Sequence, residues 1–107
     1  MSTPPTTILG IDPGYARLGW AAAQLDGSRL KPLELGCIET GSEEDLFDRY
    51  QKMETKRQAL IDKYQPHHAA IENLFFFSNQ KTAMKVSESR GIVIACLMRN
   101  RINISQY

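Results

Sequence analysis

Ile8-Leu9-Gly10-Ile11-Asp12, closed by Pro13-Gly14, is a short apolar run that ends on a carboxylate and a turn. An apolar run this short, bounded by turn residues, predicts a buried strand. Outward from it, Leu18 to Leu25 predicts a second strand, and Asp26-Gly27 is a strong hairpin signal. Leu30 to Thr40 predicts a third strand, interrupted near Pro32. Proline cannot donate to a ladder, so this strand belongs at an edge of the sheet. The three strands form a meander.

A helix follows. Ser42 is placed to cap it, with Asp45 at capping-box spacing and Glu43 and Glu44 near the positive helix end. Leu46, Tyr50, Met53, Leu60 and Tyr64 recur at helical spacing, Phe47 and Ile61 widen the stripe, and Pro66 stops it. Ala69 to Leu74 predicts a fourth strand, apolar until Glu72. A second helix is expected from near Ser78 or Asn79 to about Asn100, and a fifth strand from Ile102 to Tyr107. This order describes an α/β fold, a mixed five-stranded sheet with crossover helices. Right-handed crossovers put the fourth strand beside the first and parallel to it. Residues 1–7 are expected to be an extended or disordered tail, and residues 8–107 one partial domain.

The 107 residues are 42% hydrophobic and 23% charged, ordinary soluble usage that argues against disorder. The net charge of +1 does not by itself mark a nucleic-acid binder. Its distribution says more: ten acids face eight bases through Pro66, whereas beyond it Glu72 and Glu88 face Lys81, Lys85, Arg90, Arg99 and Arg101. The second half is the one suited to an anion. No run approaches the ~20 apolar residues of a membrane span, and the polar start is not a signal peptide. Cys37 and Cys96 are expected to be buried small hydrophobes in a reducing cytoplasm.

Asp12 and Glu72 are carboxylates in strands that belong at the centre of a sheet. Parallel neighbours lie ~4.8 Å apart, so both could meet at the carboxyl ends of the strands, where open α/β sheets place their sites. Two charges held so close repel, and a divalent cation is the simplest compensation. Oxygen-only ligation suits Mg²⁺ or Mn²⁺ rather than zinc. Adjacent His67 and His68, on an extended segment, cannot easily chelate one ion. Spacing alone leaves a metal site and a turn cap with a salt bridge equally open.

Gly10-Ile11-Asp12-x-Gly14-x-x-x-x-Gly19 is similar to the phosphate loop of actin-like and sugar-kinase ATPases, which keeps an ATPase fragment as a competing class. Ile71-Glu72-Asn73-Leu74-Phe75-Phe76-Phe77-Ser78-Asn79, followed by Thr82-Ala83-Met84-Lys85-Val86 and Ser89-Arg90-Gly91, closely resembles the RuvC family of Holliday junction resolvases. Ile8 to Gly14 and Gly36-Cys37-Ile38 match the same family in the same order. The resemblance runs from about Ile8 to Tyr107.

It implies a ribonuclease-H-like fold, a homodimer and a cytoplasmic, metal-dependent endonuclease that acts on four-way DNA junctions in recombination and repair. The branch-migration complex RuvA-RuvB would be its partner. By position, Asp12 and Glu72 are the first and second catalytic carboxylates. Two Mg²⁺ ions, or Mn²⁺, would bind the scissile phosphate and activate a water. The family completes its site with two further acids on a later helix, and the sequence stops at Tyr107 before either. The chain is therefore read as a fragment truncated at its C-terminal side. It is expected to be inactive or nearly so alone, because Mg²⁺ demands near-octahedral oxygen ligation.

Phe75 occupies the position of an aromatic that stacks on junction bases, while Phe76 and Phe77 are expected in the core. Ser87, Gly91 and Ala95 fall on one stripe of the second helix, for packing on the protein's own sheet or, as the resemblance implies, in the dimer interface. Lys81, Lys85 and Arg90 either reach DNA phosphates or lie on a solvated face. Two more classes compete with a junction resolvase: a ribonuclease-H-like nuclease acting on RNA, and a module that binds junctions without cutting them.

Overall fold

The structure, a computed structural model, describes residues 4–14, 17–41, 43–73 and 80–107, the side chains of 80–82 excepted. In chain order the elements are β1 (Thr6–Pro13), β2 (Arg17–Asp26), β3 (Arg29–Glu39), α1 (Leu46–Tyr64), β4 (His68–Ile71), α2 (Gln80–Arg99) and β5 (Asn103–Gln106). The five strands form one sheet in the order β3-β2-β1-β4-β5. The β1–β2 and β2–β3 pairs are antiparallel, and the β1–β4 and β4–β5 pairs are parallel. The apolar run around Ile11 is thus the central strand, flanked by the meander on one side and by crossover strands on the other.

Local chemistry explains the boundaries. Asp26 pairs with Arg29, so the hairpin loop is Gly27-Ser28. Gly27 takes a φ of 63° there, a conformation that costs glycine nothing. On the edge strand β3 the register passes from Glu34 opposite Ala22 to Pro32 opposite Ala23, leaving Leu33 as a bulge beside the proline. Helix α1 begins later than a Ser42 cap would place it. Asp45 is itself the N-cap, its carboxylate accepting from Phe47 N–H at 3.1 Å, and Ser42 lies outside the described residues. Gln65, with φ 45°, closes the helix by donating to the Ile61 carbonyl at 2.7 Å, and Pro66 follows.

Both helices cover one face of the sheet. Leu9, Ile11, Leu18, Ala22, Ile38, Ala69 and Ile71 meet Met53 and Ile61 of α1 and Val93, Cys96 and Leu97 of α2. Alternation sends Ile8, Gly10, Asp12, Gly19, Ala21, Leu35 and Cys37 to the opposite face, where no described helix packs. The expected α1 stripe needs one correction. Phe47 is 73% exposed, and the buried row is Arg49, Met53, Arg57 and Ile61. Arg57 tolerates burial because Glu54, one turn earlier, pairs with it and also with Arg99 of α2. Gln58 and Asn100 exchange hydrogen bonds at 2.9 Å beside that network, which ties the two helices together.

Candidate metal centre

The parallel ladder pairs Ile8 with His68 and continues in step to Ile11 with Ile71. Asp12 and Glu72 are the next residues on each strand. Glu72 N–H donates to the Ile11 carbonyl at 3.2 Å, so the two carboxylates leave the sheet at one level. Ile11 and Ile71 are buried under the helices, and alternation therefore turns both acids onto the uncovered face. Asp12 is exposed and Glu72 half-buried. Asp12 favours the protonated form of Glu72, by offering it a hydrogen-bond acceptor and by repelling the ionised form, and so holds the Glu72 carboxyl above the usual carboxylate range, with burial adding a smaller share. Two hard oxygen donors whose negative charges oppose each other fit a divalent cation of the Mg²⁺ class. Among the described residues, no third His, Cys, Asp or Glu joins them in a metal-holding cluster.

A cleft of about 310 Å³ opens beside Asp12, lined by Pro13, Gly14, Arg17, Gly19 and Cys37. Two of the lining residues are glycines, and only Gly14 is required by sterics. A Cβ on Gly14 would fall 2.5 Å from the Arg17 carbonyl oxygen, and one on Gly19 would touch the Asp12 Cβ at 3.6 Å. Arg17 pairs with Glu39 at 3.1 Å, and Cys37 and Glu39 both hold its guanidinium pKa above the ordinary value. Cys37 is exposed here, not buried as expected; only Cys96 is in the core, where burial raises its thiol. A larger hollow of about 470 Å³ runs along the outer side of α1 and shares no residue with the carboxylate pair.

The remaining candidates are scattered. Phe75, Phe76 and Phe77 and the start of the second helix at Ser78 or Asn79 lie outside the described residues, as does the Lys81 side chain. Lys85 is exposed on α2. Arg90 turns to the strand ends, its Nε donating to the Glu72 carbonyl at 3.4 Å and its Nη2 to Gln106 Oε1. His67 accepts from Thr7 N–H through Nδ1 at 3.2 Å, and His68 Nε2 meets Ser105 Oγ at 2.7 Å, so both bind neighbouring strands. Ser87, Gly91 and Ala95 are exposed, and a Cβ on Gly91 would meet nothing within 4 Å, which rules out packing on the protein's own sheet.

Sequence reasoning missed Arg17 and Cys37 as neighbours of Asp12. The hairpin registers carried that signal: Asp12 pairs with Gly19, and Gly19 with Cys37, in one row across three strands. It also missed the buried Arg57, whose signal was Glu54 one turn earlier.

A central strand flanked by a meander and a parallel crossover, with paired carboxylates at its end, defines a ribonuclease-H-like domain. The family described as crossover junction endodeoxyribonuclease RuvC matches residues 8–107, and the chain belongs to that family. A crossover junction endodeoxyribonuclease RuvC from Brachyspira hyodysenteriae is 44% identical over 99 residues, which are 92% of this chain and 62% of the relative. Thermus thermophilus RuvC in complex with a Holliday junction substrate superposes with a TM-score of 0.85 at 20% identity, covering 95% of this chain and 64% of that one. The yeast mitochondrial Holliday junction resolvase Ydc2 superposes at 0.67 with 13% identity, covering 99% of this chain and 54% of that one. These structural likenesses show the shared fold. The chain spans about three-fifths of the length of the Brachyspira relative.

Proposed function

We propose that this chain is the metal-binding part of a structure-specific endonuclease that hydrolyses phosphodiester bonds at four-way DNA junctions in recombination and repair. The observation that carries this is the in-register placement of Asp12 and Glu72 on the uncovered face, next to the glycine-floored cleft. Both carboxylates would hold the divalent cations, Mg²⁺ or Mn²⁺. When bound, such ions polarise a phosphoryl oxygen and lower the pKa of a water. Asp12 projects from the central strand and would be the central ligand, with Glu72 its partner. Gly14 and Gly19 line the cleft beside Asp12 without side chains of their own, which would ease the approach of a phosphate backbone.

Phe75 is assigned to stacking on unpaired junction bases, an interaction worth ~1–3 kcal/mol per base that tolerates any sequence. Lys81 and Lys85 are assigned to phosphates. The exposed stripe of Ser87, Gly91 and Ala95, bordered by Met84 and Met98 at 72% and 65% exposure, is assigned to a two-fold contact with a second copy. That symmetry suits a substrate that needs two matched cuts. A branch-migration complex of the RuvA-RuvB type would deliver the junction, in the cytoplasm. Among the described residues, no helix is long and apolar enough to cross a membrane.

The test uses a chain extended to the length of the family relatives and a synthetic four-way junction. Paired nicks are expected with Mg²⁺. Asp12→Asn or Glu72→Gln should abolish them while junction binding is retained, since the carboxylates hold metal rather than DNA. Near-normal cutting by either variant would remove that residue from the site. Hydrolysis of ATP without cutting would instead favour the ATPase class.

A further inference from the structure

We infer that Arg90 is a positioning residue for Glu72: from α2 it fixes the peptide that carries the carboxylate. This role rests on the reading of Asp12 and Glu72 as a cation site. Glu72 stands just past the end of β4, where the regular ladder stops. Its N–H is held by Ile11 of β1 at 3.2 Å, and its carbonyl accepts from Arg90 Nε at 3.4 Å. The same guanidinium reaches Gln106 Oε1 at the end of β5. On that side the strands are also tied by Asn73 N–H to the Tyr107 carbonyl at 2.8 Å and Tyr107 N–H to the Ile71 carbonyl at 3.1 Å.

The peptide at residue 72 is therefore clamped from β1 on one side and from α2 through Arg90 on the other. Orienting that peptide sets the Cα–Cβ direction of Glu72 and hence the reach of its carboxylate toward Asp12. A guanidinium suits the task because its donors form a rigid planar fork, so the Glu72 and Gln106 contacts fix each other's angle. A lysine offers a point charge on a flexible stem. Arg90 is half-buried and serves the carboxylate through its backbone, without contact with the cation. Groups that orient metal ligands in this way typically alter affinity 10–100-fold when removed.

The experiment is a Mn²⁺ titration of the 107-residue chain by calorimetry, with thermal melting measured in parallel. The wild type is compared with Arg90→Met, Arg90→Lys, Gln106→Leu and Asp12→Asn. Arg90→Met is expected to weaken Mn²⁺ binding by about tenfold or more, beyond any loss that its folded fraction accounts for. Arg90→Lys is expected to recover part of that loss, and Gln106→Leu to weaken binding by a smaller factor. A folded Arg90→Met chain that binds Mn²⁺ as the wild type does would overturn the role. Should Arg90→Met fail to fold, Gln106→Leu decides: weakened binding supports the role, and wild-type affinity overturns it. A wild-type chain that binds Mn²⁺ no better than Asp12→Asn would overturn the cation site itself, and the role of Arg90 with it.

Discussion

Asp12 and Glu72 stand one rung beyond Ile11 and Ile71, the last paired residues of two parallel strands, and the Glu72 N–H closes on the Ile11 carbonyl at 3.2 Å. This arrangement places two carboxylates side by side, and once both are ionised their charges repel unless a counter-ion joins them.

A pH dependence follows. Asp12 raises the carboxyl pKa of Glu72 in the folded chain, so the native state holds that proton more tightly than the unfolded state does. Linkage then gives a stability that is fully present below the ordinary carboxylate range and is lost as pH rises through the raised value. In chelator, Glu72→Gln is expected to flatten this decline and to melt at a higher temperature than the wild type at neutral pH. Thermal melts across the carboxylate range and up to neutrality check this; a wild-type stability that rises with pH in a Glu72-dependent way would contradict it.

Gly14→Ala tests the floor of the cleft. The added Cβ falls 2.5 Å from the Arg17 carbonyl oxygen, a backbone atom that can yield only by moving the segment that follows Asp12. A loss of ~1–3 kcal/mol is expected, as for overpacking in general. Urea denaturation measures it, and an unchanged midpoint would show that the turn adapts freely.

The corrected stripe of α1 gives a paired comparison. Met53→Ala removes a side chain that is 4% exposed in the core and should cost ~2–5 kcal/mol. Phe47→Ala removes a larger side chain that is 73% exposed and should stay within ~0.5 kcal/mol of the wild type. The reverse order in denaturant melts would return Phe47 to the core.

Much of this architecture was legible because each strand had a local cause. The run at Ile8, the Asp26-Gly27 turn and the proline in the third strand placed the meander, and crossover handedness put β4 beside β1. The pairing of Asp12 with Glu72 then followed from topology alone. Helix α1 misled because the apolar stripe Leu46, Tyr50, Met53, Leu60 and Tyr64 left out Arg49 and Arg57, which share the buried row with Met53 and Ile61. Glu54 compensates the buried Arg57 within the helix, but it also pairs with Arg99 of α2, and no one-helix pattern shows that the second helix covers this row. Cys37 read as buried because its neighbours are apolar, whereas strand alternation turns it outward beside Gly19. Asp45 read as part of a capping box, but its own side chain makes the cap.

The small-residue stripe of α2 yields opposite effects for two substitutions. Gly91 is exposed with nothing within 4 Å of an added Cβ, so Gly91→Ala should stabilise the helix by up to ~1 kcal/mol. If the proposed two-fold contact forms through this stripe, Gly91→Arg leaves the fold intact and shifts sedimentation from dimer to monomer. A monomeric wild type at high concentration would contradict the proposed two-fold contact.

The most direct measurement is Mn²⁺ electron paramagnetic resonance of the 107-residue chain, comparing wild type, Asp12→Asn and Glu72→Gln. The paired-carboxylate site predicts saturable loss of the free Mn²⁺ signal in the wild type, weakened in each variant and competed by Mg²⁺. Equal titrations in all three chains would contradict it.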